Sequence, residues 1–301
     1  MKVTVIGGGG FVGQRVVRKL AERDDVTQVV AFDRQGVTSG DKVTAITGDF
    51  SDPALQAEAL EGAGAVIHLA AILGGAAEAD PKFARKINVD ATLDMIEALK
   101  DRAPTTRFVF ASTIAAYGKP LPDPVKDETP LDPTMVYGAQ KVMIEVALSN
   151  YAKRGWLDAV SLRPSGVMAR DGAPAALKSA FMSRLFYCVM RGEDITLPVA
   201  PDSKTWLASV DNVAANFVHG ALVPDLGTAR AFTLPALALT YGDLVDALMR
   251  RFPNSGANVS FAPDTETIAL FGSSPNLITQ TADSLGFTRD TDADALVASA
   301  L

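Results

Sequence analysis

An α/β fold, a doubly wound parallel sheet with a smaller C-terminal α+β lobe, is predicted by three observations. Short apolar runs alternate with amphipathic stretches from residue 2 to past residue 160, the pattern of a parallel sheet with helices on its faces. The first run empties directly into a glycine turn. The fourth and fifth end in small or hydroxyl residues, at the carboxyl edge where open sheets of this kind bind ligands.

Each element follows from its residues. Residues 3–6 are β-branched throughout and lack helical periodicity, which suits a strand buried on both faces. Gly7, Gly10 and Gly13 then stand three apart. A phosphate approaches a backbone only where no Cβ intrudes, and it is stabilised where the N–H groups of a helix start point at it. Residues 11–22 supply that helix, with Phe11, Val12, Val16, Val17 and Leu20 on one face and Gln14, Arg15, Arg18 and Lys19 on the other. A second strand, Gln28-Val-Val-Ala-Phe32, ends in Asp33, ~20 residues beyond the glycines, where a dinucleotide fold places its ribose-binding carboxylate. Such an aspartate accepts from both ribose hydroxyls and repels a 2′-phosphate, so NAD is favoured over NADP. Arg34 follows directly and is able to pair with that phosphate, which leaves acceptance of NADP open.

A third strand is expected over 42–47, closed by Gly48-Asp49-Phe50. Asp49 reads equally as an acceptor for an adenine amino group and as a turn residue, while Asp52 before Pro53 reads as a cap for a helix over 53–61. The fourth strand, Ala65-Val-Ile-His-Leu69, runs into Ala70-Ala71, small enough to leave room for ribose and pyrophosphate. Residues 72–80 read as a small-residue loop lining the substrate mouth. One long helix is expected from Pro81 to about residue 100, with Phe83, Ile87, Val89, Leu93, Ile96 and Leu99 apolar. Asn88 among them needs its amide satisfied, by a backbone bond or by an ordered role near the cofactor. The fifth strand, Arg107-Phe-Val-Phe-Ala-Ser-Thr113, leads into a proline-rich loop over 118–134, and then Tyr137-Gly-Ala-Gln-Lys141 opens a helix reaching about residue 154.

Composition bounds the function. A chain of 301 residues, 48% hydrophobic, is ample for one large core or a core and a lobe. A net charge of −7 argues against a nucleic-acid partner. No apolar run reaches the ~18 residues of a membrane span and the chain opens on a strand, so the expectation is a cytoplasmic protein with no membrane partner. Cys188 is the only cysteine and His68 and His219 the only histidines, so disulfides, cysteine clusters, histidine triads and His-rich metal sites drop out, and no metal is expected. His68 reads as a hydrogen-bonded core residue and His219 as a helix-end residue.

Tyrosine and lysine four apart share one helical face about a turn from each other. A phenol with its ordinary pKa of ~10 is a poor base at neutral pH. A nearby ammonium, joined by the positive charge of an oxidised nicotinamide, stabilises the phenolate and lowers that pKa. Tyr137 is then able to take the hydroxyl proton of an alcohol while hydride leaves the same carbon, with Lys141 as the ammonium and Thr113 orienting the oxygen.

Gly7-Gly-Gly-Gly-Phe-Val-Gly13, Asp33, Gly48-Asp49, His68-Leu-Ala-Ala71, Asn88, Ser112-Thr113 with Tyr117-Gly118, Tyr137 to Lys141, Leu162-Arg-Pro164 and Val210-Asp-Asn-Val-Ala214 together resemble the extended short-chain dehydrogenases/reductases of the NAD-dependent epimerase/dehydratase type, from residue 2 to about residue 220. The resemblance implies a Rossmann domain, NAD as cofactor and a homodimer through the helices at 81–100 and 135–154. Tyr137 is implied as general acid/base, Lys141 as the residue that holds the nicotinamide ribose, and Thr113 as the catalytic hydroxyl. Cofactor contacts are implied for Gly7, Gly10, Phe11, Val12, Gly13, Asp33, Arg34, Asp49, Phe50, Leu69, Ala70, Ala71, Asn88, Ser112, Tyr137, Lys141, Pro164 and Val167. Within the family, residues 75–80, the loop Tyr117-Gly-Lys-Pro-Leu-Pro122 and residues 179–181 are similar to the branch of D-erythronate dehydrogenases, themselves similar to uronate dehydrogenases. The chain departs at 173–177, where that branch carries an asparagine, and this keeps a different acid open as substrate.

The implied division is an NAD-binding domain over 1–169 and 204–228 and a substrate-binding lobe over 170–203 and 229–301. In and around the lobe, Arg170, Lys178 and Arg184 with Ser165 and Ser179 suit a carboxylate, though a solvated basic helix face explains the cations equally. Gly75 and Thr113 join Ser165, Arg170 and Ser179 as expected substrate contacts. Trp206 reads as pocket wall or core, and Asp211 as the cap of a helix through residue 221. The small-molecule substrate expected is a sugar acid, oxidised at a secondary hydroxyl. Two alternatives stand beside it: a nucleotide-sugar epimerase or dehydratase that recycles bound NAD, and a non-catalytic NAD sensor. Ile114, Ala115 and Ala116 after Thr113 supply no acid for a dehydratase, and retention of Tyr137 and Lys141 speaks against a sensor.

Overall fold

Val3, Val5 and Ile6 are fully buried, as a strand covered on both faces requires, and they lie on an interior strand of a seven-stranded sheet. The computed structural model describes residues 1–172 and 179–301. In chain order the elements are β1 (Lys2–Ile6), α1 (Phe11–Ala21), β2 (Gln28–Asp33), β3 (Val43–Thr47), α2 (Pro53–Leu60), β4 (Ala65–His68), α3 (Gly74–Ala79), α4 (Pro81–Arg85), α5 (Ala91–Arg102), β5 (Arg107–Ala111), α6 (Val136–Lys153), β6 (Asp158–Arg163) and β7 (Gly166–Met168). Then follow α7 (Ala180–Arg191), β8 (Ile195–Leu197), β9 (Lys204–Ser209), α8 (Val210–Leu222), β10 (Ala231–Thr233), β11 (Leu237–Thr240), α9 (Tyr241–Arg251), β12 (Val259–Phe261), α10 (Thr265–Phe271), α11 (Gln280–Ser284) and α12 (Ala293–Ala300).

The chain divides into two compact units, the first built from residues 1–118, 130–163 and 214–233 and the second from 119–129, 164–213 and 234–301. In the first, the strand order is β10-β6-β5-β4-β1-β2-β3, every pair parallel. Succession reverses between β1 and β4, so the carboxyl ends of these two strands form the switch point of a doubly wound sheet. There Leu69 N–H donates to the Ile6 carbonyl at 2.8 Å. One face of the sheet packs Phe32, Phe108 and Phe110 against Met95, Leu99 and Leu148 of the covering helices.

The second unit has its own core, in which Leu185, Phe186, Leu244, Leu248, Leu296 and Val297 are completely buried. It carries a three-stranded sheet, β11-β9-β7, antiparallel at β11 and parallel at β7, and a parallel β12-β8 pair. The mixed pairing is that of an α+β lobe. No helix among the described residues is long and apolar enough to cross a membrane.

Several elements differ from expectation. The helix expected from 81 to about 100 is interrupted by a π-helical turn at Lys86–Asp90 that carries Asn88; such a turn admits one extra residue and re-aims a side chain. The expected loop at 72–80 contains the short helix α3. Residues 231–233 form the seventh strand, with Ala231 in register with Ser161 of β6, whereas the sequence suggested that they belong to the lobe. Residues 164–169 and 204–213 fall in the second unit because β7 and β9 pair with each other there. Asp211 lies in the first turn of α8, but the hydroxyl that accepts from Asn212 N–H, at 3.1 Å, belongs to Ser209. Asp52 does cap α2, accepting from the Ala54 and Leu55 N–H groups at 2.8 and 3.4 Å, which contributes about 1 kcal/mol.

Candidate active site

The site is built upward from the glycine turn. Gly7 has φ +88°, and a Cβ there would lie 2.8 Å from the Ala70 nitrogen across the switch point. A Cβ on Gly13 would lie 2.0 Å from the Gly7 carbonyl oxygen, so α1 starts as close to the turn as bare backbone allows. Gly10 occupies the N-cap of α1 and offers no side chain to it. The positive end of the helix therefore faces a turn without Cβ atoms, the arrangement that receives a phosphate. Phe11 and Val12 form the first turn of α1, both half-buried.

Asp33, at the carboxyl end of β2, is fixed by backbone: Gly9 N–H donates to Oδ2 at 3.0 Å and Arg34 N–H to Oδ1 at 2.7 Å. These bonds leave each oxygen a lone pair for a hydroxyl donor. Arg34 beside it is exposed. Asp49 is exposed and accepts from Ser51 N–H at 2.9 Å, and that backbone bond, with Arg34 and Lys86 nearby, holds its carboxyl below the usual range. The turn role of Asp49 is thus visible directly. Phe50 is buried, its ring 5.1 Å from that of His68 and edge-on to it.

His68 is fully buried between Phe50, Phe108 and Phe110, and its Nε2 pairs with Thr92 Oγ1 at 3.0 Å. Burial, with Lys141 adding to it, pushes the imidazole pKa down to about 3. It is the neutral core histidine that the apolar strand implied. Leu69, Ala70 and Ala71 follow it, half-buried at the switch point.

Asn88 in the π-helical turn accepts from Ile72 N–H at 2.7 Å and donates to the Ile72 carbonyl at 2.9 Å and to Gln140 Oε1 at 2.8 Å. Both amide hydrogens are therefore used within the chain, so the backbone bond satisfies Asn88. These contacts tie the segment bearing Gly75, an exposed residue of α3, to α6. Glu78 adds a second tie, its carboxylate accepting from Val136 N–H at 2.7 Å at the start of α6.

Ser112 and Thr113 extend beyond β5. Ser112 Oγ is buried without a hydrogen-bond partner among the described residues. Such an orphan at the ligand-binding edge of the sheet fits a cofactor hydroxyl as its missing partner. Thr113 Oγ1 accepts from Ala115 N–H at 3.1 Å, capping the 3-10 turn Ile114–Tyr117, so its own hydrogen remains available for donation. Tyr137, in the first turn of α6, is half-buried. Lys141, one turn later, is 1% exposed. Its Nζ stands 5.7 Å from the centroid of the Tyr137 ring and 4.4 Å from that of Phe110. Burial pushes the Lys141 pKa down to about 7, against the opposing pull of Glu145. The glycine cradle, the backbone-fixed Asp33 and the orphaned Ser112 hydroxyl together fit a dinucleotide, and Tyr137 with Lys141 fit proton transfer beside it.

In the second unit, Pro164 precedes β7 and Val167 lies within it, paired with Ala208. Ser165 is buried and its Oγ lacks a partner among the described residues. Arg170 is exposed and its backbone N–H donates to Ser183 Oγ at 3.1 Å. Ser179 stands at the N-cap of α7 without capping it by side chain, and Arg184 is exposed. Lys178 and residues 173–177 lie outside the described residues. Trp206 is core, its indole N–H donating to the Pro275 carbonyl at 2.8 Å.

Three further polar residues are buried, Gln140, Glu145 and Arg163; Gln140 and Arg163 fall within motifs quoted above but carry no role there, and Glu145 lies outside them. Glu145 had one usable signal, a charge four residues past Lys141 on the same helical face.

Comparison with known proteins places this geometry. The D-erythronate dehydrogenase of Cupriavidus necator is 34% identical over 99% of this chain and 97% of its own. That of Haemophilus influenzae is 31% identical over 82% of this chain and 81% of its own. The crystal structure of a nucleoside-diphosphate-sugar epimerase from Agrobacterium tumefaciens superposes with a TM-score of 0.87 at 28% identity, over 99% of this chain and 92% of that one. A family model described as the NAD dependent epimerase/dehydratase family matches residues 3–221. With the glycine cradle, Asp33 and the Tyr137–Lys141 pair all in the matched segment, the chain belongs to the NAD dependent epimerase/dehydratase family, as an extended short-chain dehydrogenase/reductase whose cofactor is NAD.

Proposed function

We propose that this protein is a dehydrogenase that oxidises a secondary hydroxyl of a small sugar acid, the one beside the carboxylate. The observation that carries the reading is the buried ammonium of Lys141 one helical turn beyond the Tyr137 phenol. The similarity to two D-erythronate dehydrogenases, over 99 and 82% of this chain, supports the substrate class.

Bound NAD supplies the nicotinamide carbon that takes up hydride. The chain does the rest. The N-terminus of α1 and the glycine turn would receive its pyrophosphate, Asp33 would accept from the adenosine ribose, and Lys141 and Ser112 would serve the other hydroxyls. Thr113 donates its free hydrogen to the substrate oxygen and so orients the alcohol. Tyr137 Oη takes the hydroxyl proton as the C–H bond breaks, and the Lys141 ammonium stabilises the phenolate that does so. In the reverse direction the same phenol returns the proton to the carbonyl.

A panel of short aldonates and uronates, set beside UDP-sugars, tests the reading by NADH formation. Steady NADH production with an aldonate and none with UDP-sugars is the expected result. Interconversion of a UDP-sugar without net NADH instead establishes the epimerase reading, which the similarity to the Agrobacterium structure keeps in view.

The protein is further proposed to act as a homodimer through α4 to α6. Phe83, Met143 and Val146 on these helices are 44, 54 and 64% exposed, and a second copy of the chain would cover them. Sedimentation velocity that gives a monomer mass at all concentrations overturns this part alone.

A further inference from the structure

Two segments that carry the proposed chemistry, the turn begun by Thr113 and the helix α6, meet through bare backbone. A Cβ on Gly138 would lie 2.4 Å from the Ala115 carbonyl oxygen. The same two segments share a buried polar network. Arg163, the last residue of β6, donates Nε to Glu145 Oε1 at 2.9 Å and Nη2 to Oε2 at 2.5 Å. Its Nη1 reaches Tyr117 Oη at 3.3 Å, and Tyr117 Oη shares a 2.6 Å hydrogen bond with Thr233 Oγ1 on β10. The side chains of Arg163 and Glu145 are only 6 and 3% exposed. Tyr117 closes the turn that Thr113 opens. Glu145 stands one turn past Lys141, as Lys141 stands one turn past Tyr137.

A buried ion pair is a costly way to hold a fold, because desolvation of two charges consumes most of their attraction and an apolar pair of similar volume often serves as well. Its position suggests another use. We infer that Glu145, Arg163 and Tyr117 are positioning residues for the reaction: they lock the Thr113 turn onto α6 and keep a compensated carboxylate beside the Lys141 ammonium. This inference rests on the roles proposed above for Tyr137 and Lys141.

The surroundings of Lys141 support it. On α6 the groups facing it are Tyr137 and Glu145; β4 contributes His68, which is neutral, and β5 the ring of Phe110. On β6, Arg163 spends its charge on Glu145. Glu145 is thus the group that favours the ammonium against burial. Without the carboxylate, Lys141 gives up its proton at lower pH, the phenolate loses its counter-charge, and Tyr137 works as a base only at higher pH.

The experiment compares the full-length protein with three variants: the apolar exchange Glu145→Leu/Arg163→Met, Glu145→Gln alone, and Tyr117→Phe. Circular dichroism and the melting temperature report folding, and kcat and KM are followed against pH. Folded Glu145→Leu/Arg163→Met should show the acid limb of kcat moved upward by on the order of one pH unit. Its kcat at neutral pH should fall about tenfold, with KM for NAD little changed. Glu145→Gln should move the limb in the same sense. Tyr117→Phe, which retains the ion pair, should lower kcat several-fold and leave the limb in place. A folded charge variant with the wild-type profile overturns the inference; a merely structural pair would change melting and leave the profile alone. If neither charge variant folds, Tyr117→Phe decides, and an unchanged kcat there is the overturning result. Tyr137→Phe run in parallel separates the two readings, since full activity in that variant removes the proposed chemistry itself.

Discussion

The Nζ of Lys141 lies 5.7 Å from the centre of the Tyr137 ring in a site where the lysine is almost wholly excluded from water. An ammonium so placed has little competing solvent, and its effect on a phenolate is correspondingly large.

Tyr137→Phe removes the proposed proton acceptor and retains the ring. Turnover should fall by at least about 10² to 10⁴-fold, while NAD binding, followed by fluorescence titration, stays within a few-fold of wild type. Full turnover in this variant is the result that ends the mechanism.

Lys141 also sets a pH dependence of stability. Its folded pKa is about 7, below its ordinary value of 10.5. Between those values the unfolded chain binds the proton and the folded chain does not, so stability rises with pH across the window. Below about 7 both states are protonated and the full cost of the buried charge is present. Chemical denaturation of the ligand-free protein at several pH values, beside Lys141→Met, should show the wild type gaining on the variant from pH 7 towards 10.5. A constant difference would mean that Lys141 keeps its ordinary pKa in the fold.

His68 sets another at acid pH. Its folded pKa of about 3 against 6.5 means that the unfolded chain takes up a proton the folded chain refuses. Stability from this group is complete above about 6.5 and is lost as pH falls towards 3, by about 1.4 kcal/mol per unit. His68→Leu, which leaves Thr92 its 3.4 Å contact with the Ile87 carbonyl, should flatten the acid limb of the denaturation midpoint. Parallel acid limbs would refute the assignment.

Asp33→Ala should weaken NAD by tenfold or more, from loss of charge-assisted bonds worth about 1.5–3 kcal/mol, and should weaken NADP much less. Isothermal titration of both cofactors measures the ratio. An unchanged ratio would show that the carboxylate fixed by Gly9 and Arg34 does not read the ribose.

Gly13→Ala brings a methyl group within 2.0 Å of the Gly7 carbonyl oxygen. It should destabilise the protein by about 1–3 kcal/mol and weaken NAD together with it; a variant that melts and binds as wild type would contradict the close start of α1.

The parts of this molecule legible in the sequence are those that burial or backbone sterics write into residue type. Strands covered on both faces must be apolar, so β1, β2, β4 and β5 stand out, and the turn at Gly7 admits no Cβ. His68 was readable for the same reason, a polar residue framed by apolar strand positions. Where partner choice decides the outcome, residue type says less. The π-helical turn at Lys86–Asp90 exists where Asn88 grips the backbone of Ile72, 16 positions away, and helical periodicity alone runs straight through it. Ser209 caps α8 while its hydroxyl donates to Asp290, 81 positions away, which no local window contains. β10 has three residues and is a strand because β6 accepts it as a neighbour. Likewise Glu145 and Arg163 look like any helix acid and strand-end base until β6 and α6 bring them together.

The second unit is assembled from three separate lengths of chain, 119–129, 164–213 and 234–301, interleaved with those of the first. No contiguous cassette encodes it. A recombination event with a single crossover could not hand this unit to another enzyme, nor could a designer transplant it by one cut and one splice. Changes to this unit have to arise by scattered point substitutions within a framework that is inherited whole.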